Sequence, residues 1–112
     1  MPLAYNSGVP GKPWVPRLLV VDDEEAGRDM LSQRLLRSGF DVDTAASGPE
    51  TLAKVAATPY DLVLLDIQMP GMSGLEVLRA LRVDHSPVQL PIIVVTGRTG
   101  SDDIVEFFSR TV

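Results

Sequence analysis

Three short runs of the chain are apolar without interruption, Leu18–Val21, Leu62–Leu65 and Ile92–Val95, the pattern of strands buried on both faces of a parallel sheet. Each is cut off by a polar residue: Asp22 and Asp23 after the first, Asp66 after the second and Thr96 after the third. Phe40 to Ala45 instead alternates Phe40, Val42 and Thr44 with Asp41 and Asp43, which predicts a strand nearer an edge. Between the first two strands, Ala26, Met30, Leu31, Leu35 and Leu36 recur at helical spacing. Arg28, Gln33, Arg34 and Arg37 take the polar face of that helix, and Gly39 follows Ser38 as a stop signal. Ser47 and Glu50 form a Ser-x-x-Glu box that opens a second helix through Leu52, Val55 and Ala56, broken at Thr58 and Pro59. After a loop from Met69 to Met72, a second such box, Ser73 and Glu76, opens a helix through Leu75, Leu78 and Leu81 to about Arg82. A polar loop with His85 and Pro87 leads to the last strand, and Ser101 with Asp102 and Asp103 has the character of a helix start, with the helix reaching Arg110.

Strict alternation of strand and helix implies an α/β fold: a doubly wound parallel sheet with right-handed crossovers and helices on both faces. Sites in such sheets lie beyond the carboxyl ends of the strands. Asp22, Asp23, Asp66 and Thr96 all stand at those ends, on three different strands.

Composition narrows the chemistry. The 112 residues suit one domain, and 45% hydrophobic content is too high for a disordered chain. The prolines and glycines of residues 1–16 argue for a flexible N-terminal tail, leaving residues 17–112 as the domain. With no cysteine, thiolate metal sites and disulfides are excluded, and a reducing, cytoplasmic location is the expectation. A net charge of -5 argues against a nucleic-acid surface on this chain alone. No stretch has the roughly 20 apolar residues of a membrane helix.

Three converging carboxylates repel one another and call for protonation or a cation. With oxygen the only plentiful ligand atom and His85 alone in a loop, Mg²⁺ is the expected ion. A bound divalent cation lets one carboxylate attack phosphorus by offsetting the charge between two anions, giving an aspartyl phosphate. Thr96 could donate a hydrogen bond to that group.

The stretches Leu19-Val20-Val21-Asp22-Asp23-Glu24, Leu64 to Gly74 (Leu-Leu-Asp-Ile-Gln-Met-Pro-Gly-Met-Ser-Gly) and Val94-Val95-Thr96-Gly97, in this order, resemble the motifs of response-regulator receiver domains. The resemblance runs from about Arg17 to Arg110 and implies a flavodoxin-like sheet of strand order 2-1-3-4. It further implies Asp66 as phosphoacceptor, Asp23 as metal ligand, Asp22 as a second acid positioning the ion and its waters, and the Gln68 backbone carbonyl as a third ligand. Thr96 would be the switch hydroxyl, Gly74 the support of the turn after the acceptor loop, and the side chains of Gln68 and Arg98 would tune the lifetime of the phosphoryl group. A histidine kinase or phosphotransfer protein is the implied donor, and an output domain or effector protein the implied recipient of the signal.

Only sixteen residues follow Thr96, so the family's fifth strand and fifth helix are expected to be missing, and with them a lysine that contacts the phosphoryl group. Lys12 in the tail and Lys54 on the second helix are not placed to replace it. Two expectations follow: an uncovered apolar strand at residues 92–95, open to self-association, and an exposed sheet face. The runner-up reading is a truncated or degenerate receiver that binds partners without being phosphorylated. A metal-dependent phosphohydrolase is a further alternative, disfavoured because the acid/base Asp it needs two residues after the nucleophile is Gln68. As isolated residues, the three acids could equally be solvated helix caps.

Overall fold

The computed structural model describes residues 14–95. Seven elements follow in order: β1 (Arg17–Val21), α1 (Glu25–Arg37), β2 (Asp41–Ala45), α2 (Gly48–Ala57), β3 (Leu62–Asp66), α3 (Gly74–Asp84) and β4 (Ile92–Val95). The four strands form one parallel sheet of order β2-β1-β3-β4, as the resemblance implied. Residues 1–13 of the expected tail and the helix expected from Ser101 lie outside the described residues. The Pro16 carbonyl, placed in the tail by sequence, accepts a 3.0 Å hydrogen bond from the Asp41 amide and so continues the β1–β2 ladder by one step.

One face of the sheet is dry. Leu19, Val21, Ala45, Val63, Leu65 and Ile92 pack there against Val55 of α2 and Val77, Leu78 and Leu81 of α3. Tyr60 closes one end of this core, its hydroxyl donating to Asp43 at 2.7 Å, and Arg82 straps the loop before β4 by donating to the Leu90 carbonyl at 2.8 Å.

The other face is covered by α1, which packs against β1 and β2. The expectation that β3 and β4 are buried on both faces fails here for that reason. Leu18 and Val20 are buried beside α1, Leu62 and Leu64 on β3 are half-buried, and Ile93 and Val95 on β4 are exposed at 41% and 38%. The exposed apolar positions expected at residues 92–95 are therefore present, on alternate residues only.

The face of α1 also differs from its sequence reading. Ala26, Met30 and Leu36 point to solvent, while the inner face carries Gly27, Arg28, Leu31, Leu35 and the buried Ser32. Ser32 is tolerated because its hydroxyl donates to the Arg28 carbonyl at 2.6 Å. Arg28, assigned to the polar side, donates to the Asp22 carbonyl at 2.9 Å. The stop at Gly39 holds: with φ of 98°, it allows the Gly39 and Phe40 amides to reach back to the Leu36 and Leu35 carbonyls.

The two Ser-x-x-Glu boxes close differently. At α3, Ser73 Oγ accepts from the Glu76 amide and Glu76 Oε1 accepts from the Ser73 amide, a complete reciprocal box. At α2, Ser47 Oγ accepts from Glu50, but the Glu50 carboxylate takes the Ala46 amide and pairs with Lys54 instead. The helix α3 extends to Asp84, two residues beyond its expected end. Ser73→Ala removes an N-cap acceptor and is expected to cost about 1 kcal/mol, read as a lowered urea midpoint at unchanged slope.

Candidate functional site

Parallel pairing in the register Val21↔Leu65 and Asp66↔Val95 sets the ends of β1, β3 and β4 level with one another. Side chains alternate along a strand, so Asp66 shares its sheet face with Leu64, and Val95 stands beside it. This is the face that α1 covers. Where α1 begins, an open cleft of about 430 Å³ is lined by Val20, Asp22, Asp23, Glu24, Gly27, Leu31, Leu64, Asp66, Gln68 and Val95, with Val21 at its base. One wall is acidic and the other apolar.

Within the cleft, carboxylate oxygens of Asp22, Asp23 and Asp66 lie within 4.8 Å of one another. Two of the acids are held by the backbone that follows them. Asp22 Oδ1 accepts from the Glu24 amide at 2.9 Å, and Asp66 Oδ1 accepts from the Gln68 amide at 3.1 Å. Asp66 is pushed from its ordinary value of 3.8 up to about 6, first because burial penalises its charge and then because Asp22 and Asp23 repel it; the Gln68 amide works in the opposite direction.

The loop after Asp66 leaves no room for variation at Gly74. A Cβ there would lie 2.3 Å from the Asp66 carbonyl oxygen and 2.5 Å from the Ile67 Cα, and the Gly74 amide donates to the Ile67 carbonyl at 3.1 Å. Gly71 turns the loop with φ of 74°, Met69 is buried in the core, and Met72 packs onto Gly48 at the start of α2. The two methionines are packing residues. His85 is half-buried rather than solvated, with Nδ1 3.2 Å from the Leu81 carbonyl.

Asp22, Asp23, Asp66 and Gln68 are thus brought together, and Gly74 supports the turn behind them. Thr96 and Arg98 lie outside the described residues. Sequence reasoning missed Gly27 and Leu31 in the cleft wall and the Arg28 contact behind it. The signal available was the i, i+4 spacing of Gly27 and Leu31, obscured because glycine carries no apolar side chain to register in a periodic pattern.

Comparison with known proteins decides the family. The response regulator receiver domain matches residues 18–111. The chain belongs to that family. Response regulator PleD of Caulobacter vibrioides is 39% identical over 90 residues, covering 80% of this chain and 20% of PleD. DNA-binding response regulator MtrA of Mycobacterium tuberculosis is 40% identical over 89 residues, covering 80% of this chain and 38% of MtrA. The chain therefore spans well under half the length of these relatives. Among solved structures, the N-terminal domain of a response regulator receiver protein from Methanoculleus marisnigri JR1 aligns with a TM-score of 0.77 at 33% identity, over 88% of this chain and 80% of that one. A receiver protein from Pseudomonas putida aligns at 0.74 with 28% identity, over 88% and 81%. This receiver is a module of two-component signal transduction, a family in which Mg²⁺ binds at an acidic pocket. No helix among the described residues is long and apolar enough to cross a membrane.

Two outcomes are expected. Gly74→Ala forces the Asp66–Ile67 backbone to move and should cost about 1–3 kcal/mol, measured by thermal or urea unfolding. A raised carboxyl pKa favours the protonated folded state, so its contribution to stability is complete below pH 3.8 and is lost as pH rises through about 6. Asp66→Asn, in the presence of a chelator, is therefore expected to stabilise the protein at pH 7 by on the order of 1 kcal/mol after allowance for solvent screening. The difference should close near pH 4.

Proposed function

We propose that Asp66 is the phosphoacceptor of this receiver and that Asp22, Asp23, Asp66 and the Gln68 backbone carbonyl hold Mg²⁺. The observation that carries this reading is the convergence of the three carboxylates within 4.8 Å at the ends of two adjacent strands. The donor set fits the ion: oxygen atoms only, on groups whose mutual repulsion a hard divalent cation would relieve. When bound, the cation would offset the negative charge gathered between carboxylate and phosphoryl oxygens.

The chain's own residues do the rest. Asp66 offers Oδ2 as nucleophile while Oδ1 is held by the Gln68 amide. An oxygen–phosphorus bond forms to Asp66 as the bond from phosphorus to the donor's imidazole nitrogen, or to an acyl oxygen, breaks. The leaving group departs with that electron pair, the imidazole taking up a proton. Gln68 and Val95 flank the space the phosphoryl group would enter, and Thr96, next in the chain, supplies the switch hydroxyl. Arg98 and the Gln68 side chain tune the lifetime of the product. The donor is a histidine kinase or phosphotransfer protein, the signal passes to an output domain or effector protein, and the protein works in the cytoplasm. It is a phosphoacceptor and not an enzyme acting on other substrates.

Among the described residues no lysine or arginine lines the cleft, so the cation is the positive charge that this reading supplies there; the alternative is a receiver that binds partners without being phosphorylated. Lys54 is engaged by Glu50 and the Thr44 carbonyl. Incubation with Mg²⁺ and acetyl phosphate, followed by intact mass, separates the two. The expected result is a gain of one phosphoryl group that is absent in Asp66→Asn and in the presence of EDTA. No gain in a folded sample would overturn the phosphoacceptor reading.

A further inference from the structure

Gly27 faces the cleft from the first turn of α1, and its role goes beyond a gap in the wall. A Cβ built on Gly27 would stand 2.8 Å from Asp22 Oδ2 and 3.7 Å from Asp22 Cγ, with no other heavy atom outside its own helix turn within 4 Å. The Asp22 carboxylate therefore occupies the very space that any other residue at position 27 would fill. Its second oxygen, Oδ1, accepts the Glu24 amide at 2.9 Å. Asp22 is fixed from two sides, by a backbone donor at one oxygen and by the bare α-carbon of Gly27 at the other. The Asp22 backbone is pinned as well, its amide donating to the Ala45 carbonyl at 3.1 Å and its carbonyl accepting from Arg28 at 2.9 Å. With the main chain hydrogen-bonded at both groups, the carboxylate at the end of the side chain is the group that gives way to a conflict at Oδ2.

We infer that Gly27 is a positioning residue: it sets the direction of the Asp22 carboxylate and thereby the affinity of the acidic cleft for Mg²⁺. This inference rests on the metal reading of the cleft given above. A methyl group at position 27 turns the Asp22 carboxylate about its Cα–Cβ and Cβ–Cγ bonds, breaks the Glu24 hydrogen bond and draws one of the three carboxylate donors out of register. The fold itself has no use for glycine here. Position 27 lies within a helix, where alanine is the better helix former, and neither a turn nor a positive φ requires glycine at this point. Stability and metal affinity should thus move in opposite directions, which a merely structural role would not produce.

The test is Gly27→Ala in the full chain, alone and on an Asp22→Ala background, with two readouts. The first, in EDTA, is the Glu24 amide proton signal by NMR together with the melting temperature. The second is the Mg²⁺ dissociation constant by calorimetry. The expected result is an upfield-shifted, faster-exchanging Glu24 amide, a melting temperature equal to or above that of the parent, and a Mg²⁺ dissociation constant raised about three- to tenfold, with no further rise when Asp22 is already alanine. An unchanged Glu24 amide, or an unchanged dissociation constant, overturns the inference, as does a weakening that persists on the Asp22→Ala background. Absence of saturable Mg²⁺ binding by the parent chain overturns the metal reading itself and the affinity role with it; the amide signal in EDTA still reports whether Gly27 orients Asp22.

Discussion

Three carboxylates held within 4.8 Å of one another are the constraint on which the rest of this domain turns. Asp66 records the cost, its proton affinity raised to about 6 by burial and by its two acidic neighbours. Such a cluster exists only because the parallel register leaves no choice. Val21 pairs with Leu65, so Asp22 and Asp66 come level at the sheet's edge. A slip of one residue would turn Leu19, Val21, Val63 and Leu65 out of the core. The buried face of the sheet, packed against α2 and α3, is what makes the repulsion tolerable.

The two faces of the sheet divide the labour. The α2–α3 face supplies the continuous apolar core, and Tyr60 and Arg82 secure its margins. Among the described residues the α1 face carries one helix, over β1 and β2, and its apolar positions grow more exposed from Val20 through Leu64 to Ile93 and Val95. Asp66 emerges on that thinner side. It is buried enough for its charge to be costly and open enough to be reached, which is why its proton affinity rises while the group stays accessible.

Much of this was legible in the residues. The runs Leu18–Val21 and Leu62–Leu65, each ending in acid, are enough to place Asp22, Asp23 and Asp66 at the same end of a parallel sheet; that their strands are neighbours followed only from the family resemblance. Ser73 with Glu76 announced a helix start that is realised in full. Less legible was anything that depends on which neighbour covers a face. Leu64 and Ile93 read as buried because a strand's own sequence does not say how far a helix across the sheet extends. Met30 and Leu36 read as inward because leucine and methionine also occur on exposed helix faces, and Ser32 had no place in an apolar pattern although its hydroxyl is satisfied within its own helix and the residue is buried. Glu50 fitted a capping box, but Lys54 and the Ala46 amide offered its carboxylate a better position. Gly27 was invisible to periodicity: its contribution is the absence of a side chain, which has meaning only once Asp22 is seen occupying the space.

The cleft is closely packed behind Asp66 and open at the end of β4. Behind Asp66, the Gly74 α-carbon abuts the Asp66–Ile67 backbone, the Ser73–Glu76 box closes the helix start, and Met72 is seated on Gly48, which ties the acceptor loop to α2. Interiors packed at this density shift as units rather than deforming continuously. A change of charge or bulk at Asp66 therefore finds little give in the β3–α3 turn. On the opposite side stands Val95, which is exposed. The exposed end of β4 is therefore the side from which Asp66 can be approached. The asymmetry of packing around one acid thus decides from which side the cleft is entered.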